Sequence, residues 1–170
     1  MESYHLTPAQ PADLPRCMEI LRSGRDFQRE QGFFQWPDGF PSEETVRRDI
    51  AQSDGYVLKI GDDIAAYLYL GFDGDPSYPD IQGAWHFDEP YGVIHRIAID
   101  DAFRGKGLSG KIFSLAEDLL QSRGVFLLRI DTHHDNQRMQ HILCKNGFSC
   151  CGTVIQDNGL RLAYEKKLSK

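Results

Sequence analysis

The stretch RGKGLSGKIF, Arg104 to Phe113, brings three glycines, three cations and a serine hydroxyl into ten residues. These are residue types that hold a phosphate. Glycine backbone approaches an anion with no Cβ in the way, and the N–H groups at a helix start are already an anion site. Two chemistries fit. Gly105-x-x-x-x-Gly110-Lys111 is one residue short of a nucleotide P-loop, which next needs a Ser or Thr to ligate Mg²⁺. Position 112 is Ile, which has no oxygen. A P-loop also follows its strand directly, whereas Asp100 to Arg104 intervene here, and Lys111 falls inside the helical pattern. Arg104-x-x-Gly107-x-Ser109 instead suits a pyrophosphate held on backbone, with Arg104 and Lys106 adding charge. A plain glycine turn before an amphipathic helix has the same residues, so the loop alone leaves that reading open.

The surrounding elements come in mixed order. SYHLT reads as a strand. Asp13 is expected to cap a helix with Leu14, Met18 and Leu21 on one face, Pro15 being tolerated in its first turn. Ser42, Glu43 and Glu44 open a second helix with Val46 and Ile50 inward. YVLKI and IAAYLYLGF form a hairpin about Gly61-Asp62-Asp63. Asp73 to Pro90 is polar and broken by prolines, so it reads as a long loop. GVIHRIAID is a strand. A helix runs on from Gly107 with Leu108, Ile112, Leu115, Ala116 and Leu119 at helical spacing and ends at Gly124. VFLLRIDT is apolar enough for a central strand. A helix from about Asn136 stops at Gly147, and FSCCGTVI and LRLAYEKKL close the chain as strands. Together they predict one α+β (α/β) domain over residues 1–170, with a mixed sheet of six to seven strands flanked by about four helices.

From Val93 onward the chain resembles the GNAT superfamily of acyl-CoA-dependent N-acyltransferases. The resemblance rests on VIHRIAIDDAFRGKGLSGKIF, where the family has a strand, a short link and [RQ]-x-x-G-x-[GA]. It resumes at DNQRMQHILCKNGF, where the family has Asn, a helix and K-x-G-F. Ser109 stands where Gly or Ala is usual. The resemblance implies the GNAT fold and acetyl-CoA as co-substrate. It implies that the backbone of Ile97 and Ile99 bonds the pantetheine arm where strands splay apart. It also implies that Arg104, Gly105, Lys106, Gly107, Leu108 and Ser109 hold the pyrophosphate, and that Asn136 bonds the cofactor. Asn136 reads equally as a helix N-cap.

The implied reaction is attack of a neutral amine on a thioester, with thiolate leaving. It needs a donor for the carbonyl oxygen and a base for the amine, and an acid for the thiolate least of all. The family's usual tyrosine acid falls here on Leu143, which cannot donate a proton. Cys144 is turned about 100° away, so the acid role is vacant, water-borne or filled from elsewhere, with Tyr91 and Tyr164 as candidates. His95 is the named base: alternation puts it on the face of Ile97, and an imidazole titrates near neutrality. His133, His134 and Glu89 are further candidates. The loop FFQWPDGFP holds Phe33, Phe34, Trp36 and Phe40 beside Asp38. Trp36 and Asp38 would suit an ammonium-bearing acceptor, unless the rings only pin the loop to the core.

A net charge of −6 argues against nucleic acid as a partner. No apolar run approaches the ~20 residues of a membrane span, and MESYHLTPAQ lacks a signal-peptide pattern, so the expected compartment is cytoplasmic. Four cysteines, with Cys150-Cys151 adjacent, suit neither a disulfide framework nor a CxxC zinc site, and no metal is expected. A homodimer is left open. The function expected is acetyl transfer from acetyl-CoA to a primary amine of a small molecule or peptide N-terminus. The alternative is a GNAT-fold module that binds or senses acyl-CoA without efficient transfer.

Overall fold

Runs of β-branched and aromatic residues form strands at β1 (Tyr4–Pro8), β2 (Gly55–Ile60) and β3 (Asp63–Gly71), β2 and β3 being joined at Gly61 with φ +60°. The computed structural model describes residues 3–156 and 159–170. Its further strands are β4 (Gln82–Gly83), β5 (Gly92–Ile99), β6 (Leu127–His133), β7 (Ser149–Gln156) and β8 (Gly159–Lys167). The helices are α1 (Leu14–Glu30), α2 (Glu43–Ala51), α3 (Leu108–Ser122) and α4 (Gln137–Lys145). The strands join in the order β1-β2-β3-β5-β6-β8-β7-β4. The β5–β6 ladder is parallel, while β1–β2, β2–β3, β6–β8, β7–β8 and β4–β7 are antiparallel. β6, the strand read as central, lies between β5 and β8.

The eighth strand is β4, inside the segment expected to be a loop. Gly83 and Gly152 face each other across the β4–β7 pair with φ +126° and +148°. A Cβ on either would run into the partner's backbone, so two glycines make the approach possible. Two residues are too short for periodicity to reveal. At the other end of the chain, Asp13 does not cap α1 with its side chain. Its Oδ2 accepts from the Gln10 amide at 2.8 Å, closing a 3₁₀ turn at Pro11–Asp13 that precedes the helix. Ser42 does cap α2, accepting from the Thr45 amide at 3.1 Å.

The chain divides into two compact units, Met1–Leu70 with His95–Leu115, and Gly71–Ile94 with Ala116–Lys170. In the first, Cys17, Ile20 and Leu21 of α1 and Val46 of α2 pack with Val57, Tyr67, Trp36 and Ala98. In the second, Tyr78, Val93, Val154 and Ala163 form a core with Ile81, Trp85 and Tyr91 against it. Tyr78 is fully buried and donates to Asp131 at 2.7 Å.

Burial divides the cysteines. Cys17 and Cys151 are buried, and burial pushes both thiols up to about 12. Cys144 and Cys150 are exposed. A thiol-reactive dye at neutral pH is therefore expected to modify Cys144 and Cys150 quickly and the other two only on unfolding. Labelling followed by peptide mass mapping checks this, and rapid modification of Cys17 would contradict the packing.

Candidate functional site

The second half of β5 and the loop after it belong to the first unit. β5 pairs with β6 through Gly92↔Leu128, Val93↔Arg129 and Ile94↔Ile130. Two residues on, Arg96 adopts a left-handed conformation with φ +51°. A non-glycine residue pays about 1–2 kcal/mol for this, and the surroundings hold it. Its Nε donates to Asp49 Oδ2 at 2.9 Å and Nη2 to Oδ1 at 2.7 Å. The Tyr67 hydroxyl donates to the same carboxylate at 2.6 Å, and the guanidinium lies 4.7 Å from the Tyr69 ring centre. Asp49 is 5% exposed and Arg96 18%.

This network was not read from the sequence. Its signal was an aspartate on the inner face of α2, three residues after Val46. The same conformation corrects an expectation for His95. Alternation placed it on the face of Ile97, but Arg96 interrupts the alternation between them. His95 is half-buried, with its ring 5.5 Å from that of Tyr69.

The glycine loop is built as a bare turn ahead of α3. Gly105 and Gly107 have φ +80° and +74°, and a Cβ on either would meet no protein atom within 4 Å. Leu108 is the buried first residue of α3, while Lys106 is exposed and Ser109 half-buried. Arg104 is 13% exposed and braces the loop. Its guanidinium lies 3.9 Å from the Phe27 ring centre. It donates to the Ser23 hydroxyl and the Ile99 carbonyl at 3.0 Å each, and pairs with Asp101 at 2.6 Å. The Ile99 carbonyl thus already accepts a bond within the protein. Ile97 is half-buried.

Asn136 belongs to the second unit and caps α4, its Oδ1 accepting from the Met139 amide at 3.1 Å. Leu143 is fully buried in α4 and Cys144 is exposed beside it. Burial pushes the Tyr164 phenol up to about 12. Tyr91 accepts from the Asp75 amide at 3.3 Å, and Glu89 is paired with Lys167. His133 and His134 stack at 4.3 Å. Burial first, then the charge of His134, moves His133 below its ordinary value.

The aromatic loop is mostly core. Phe33 and Trp36 are buried and Phe34 is exposed. Trp36 packs with α1 and Ala98 rather than forming an open wall. Asp38 is 90% exposed and pairs with Arg29 at 2.7 Å, which holds its carboxyl below the usual range.

A sequence model described as the acetyltransferase (GNAT) family matches residues 21–148. No curated protein sequence matches the chain. Among solved structures, a GNAT-family acetyltransferase from Streptococcus agalactiae is 32% identical, with TM-score 0.89 over 98% of this chain and 96% of that one. A GNAT-family acetyltransferase from Listeria monocytogenes is 21% identical, with TM-score 0.77 over 97% and 95%. The PaiA N-acetyltransferase of Thermoplasma acidophilum, solved in complex with coenzyme A, is 15% identical, with TM-score 0.73 over 97% and 99%.

Proposed function

The chain belongs to the GNAT family of acetyltransferases, and on that premise we propose that it moves an acetyl group from acetyl-CoA to a primary amine of a small molecule or peptide N-terminus. The observation that carries this reading is the pair of left-handed glycines, Gly105 and Gly107, bare of neighbours at the start of a 15-residue helix. A helix start with its side chains removed is shaped for a diphosphate, because the N–H groups of the first turn have no acceptor within the helix. Lys106 adds charge there. Arg104 acts on the loop's shape, holding it through Phe27, Ser23 and Ile99. A protein of the same fold was crystallised with coenzyme A, which agrees with the ligand class.

Acetyl-CoA supplies a thioester carbonyl that an amine can attack directly. The chain's part is to hold the pantetheine arm, accept a proton from the amine, and keep the two reactants aligned. The arm is assigned to the backbone of Ile97 and Ile99; the Ile99 carbonyl accepts from Arg104 and keeps a second lone pair. His95, ahead of the kink at Arg96, takes the proton. No acid is assigned at Leu143, and a thiolate needs one least. Asp38, exposed at the loop surface, is the carboxylate assigned to an ammonium-bearing acceptor.

Thermal unfolding with acetyl-CoA, desulfo-coenzyme A and ATP–Mg²⁺ tests the ligand class. Ligand at ~100 times its dissociation constant adds about 2.7 kcal/mol, or roughly 5–10 °C in Tm for this length. Both coenzyme A compounds should stabilise and ATP–Mg²⁺ should not. Gly107→Ala should cost about 1–2 kcal/mol of left-handed backbone strain, a fall of roughly 2–8 °C in Tm, and weaken coenzyme A binding about tenfold or more by putting a methyl group into the cradle. An unchanged dissociation constant in G107A would remove the loop from the site. Buried Leu143 favours the second reading, a module that binds acyl-CoA without transfer. Strong stabilisation by acetyl-CoA with no thiol release across a broad amine panel would establish that reading instead.

A further inference from the structure

We propose that His86, Cys151 and Glu165 form a site for a zinc ion, in the second unit and independent of acetyl transfer. Their ligand atoms all lie within 4.8 Å of one another. His86 Nδ1 is 3.5 Å from Glu165 Oε1 and 3.9 Å from Cys151 Sγ. Ligands bonded tetrahedrally to zinc at 2.0–2.3 Å stand about 3.3–3.7 Å apart. The His86–Glu165 separation already lies in that range, and the His86–Cys151 separation exceeds it by a few tenths of an ångström.

The backbone is built to bring these three residues together from distant parts of the chain. In the β7–β8 ladder, Ser149 faces Glu165, Cys150 faces Tyr164 and Gly152 faces Ala163. Cys151 is the extra residue of a bulge, the device that re-aims a side chain off a strand's alternation. His86 is delivered by β4. Gly83 pairs with Gly152, the Ala84 amide donates to the Cys151 carbonyl at 3.1 Å, and the His86 amide donates to Glu165 Oε1 at 2.6 Å. Glu165 is 1% exposed, and Arg129 Nε donates to its Oε2 at 3.2 Å. The Arg129 guanidinium is itself held between Trp85 at 4.1 Å and Tyr91 at 4.2 Å from the ring centres. An oriented carboxylate with a fixed outer partner is the arrangement that metal sites use to hold a ligand in place.

The donor set selects the ion. Hard cations such as Mg²⁺ and Ca²⁺ take oxygen, whereas sulfur with imidazole suits zinc. On binding, the Cys151 S–H proton leaves to solvent as the S–Zn bond forms. The thiolate and Glu165 bring two negative charges, Arg129 offsets one, and the occupied site carries one net positive charge. Its fourth position, on the side of the 55% exposed His86, takes water. Bound zinc would pin the polar segment Asp73–Pro90 to β7 and β8. The cluster escaped the sequence because its residues share no local spacing.

The test is titration of chelator-stripped protein with Co²⁺ and then Zn²⁺, read by absorbance and by Tm. The expected result is one equivalent bound, a sulfur-to-cobalt charge-transfer band in the near ultraviolet, loss of that band on adding zinc, and a rise in Tm. C151S should abolish the band, and H86A should weaken zinc binding by about tenfold or more. His86 is exposed, so H86A serves even where C151S does not fold. C144S and H134A should change neither, the latter removing a residue of the exposed His133–His134–Asp135 cluster. Absence of a sulfur-to-cobalt band, a band that survives in C151S, or zinc binding that falls with H134A but not with H86A would each overturn the proposal.

Discussion

Replacing Asp49 by alanine is expected to destabilise the protein by about 3–5 kcal/mol, the usual result of removing one partner from a buried ion pair. Three losses combine at this position. Arg96 keeps its charge in a half-buried site and loses both bonds to the carboxylate. The fully buried Tyr67 hydroxyl loses the acceptor it reaches at 2.6 Å. Burial and then the charge of Asp49 hold the Tyr67 phenol well above its ordinary value, so it stays a donor in need of a partner. The left-handed turn at Arg96 also loses its brace. For a chain of this length the cost corresponds to a fall in Tm of roughly 6–20 °C. The double mutant D49A/R96A should be less damaged than the sum of the single mutants, because it removes the uncompensated charge as well. A D49A protein melting within about 2 °C of the parent would show the pair to be ornamental.

The second large effect is expected at His95. If this histidine accepts the amine's proton, His95→Ala should lower kcat by about 10²–10⁴ while leaving stabilisation by acetyl-CoA within about twofold. The ring also packs on Tyr69, so a purely structural histidine is the competing account. That account predicts the reverse pattern, with Tm falling and kcat holding. Measuring both in the same protein preparation separates the two. A kcat within threefold of the parent would move the base elsewhere, with His133 the next to replace.

Asp49 and His95 also show how far the sequence could be read. His95 stands out in the sequence as a candidate base because it is a histidine in an apolar strand just before the glycine loop. Asp49 carries no such local signal, because its meaning depends on Arg96, 47 positions later, and on a hydroxyl from a third element. The face assigned to His95 rested on strand alternation, which holds only while every residue stays extended. Arg96 does not, and an arginine gives no local warning of a left-handed turn. Trp36 illustrates the converse. Its place in an aromatic loop suggested a binding wall, but burying a ring that large is favourable wherever the fold offers room, and the core beside α1 offers it.

By itself the sequence determined the features whose physics is local. Helix periodicity, the Ser42 cap, the turn at Gly61 and the two glycines ahead of α3 are set by backbone preferences within a few residues, while the family resemblance rests on two short motif blocks, residues 93–113 and 135–148. Tertiary structure alone decided what depends on groups far apart in the chain. Examples are the Arg96–Asp49–Tyr67 network, the seat of Arg104 on Phe27 and Ser23, the two-residue strand β4, and the meeting of His86, Cys151 and Glu165. Each is a contact energy between distant segments. No spacing encodes such an energy until the strands have paired.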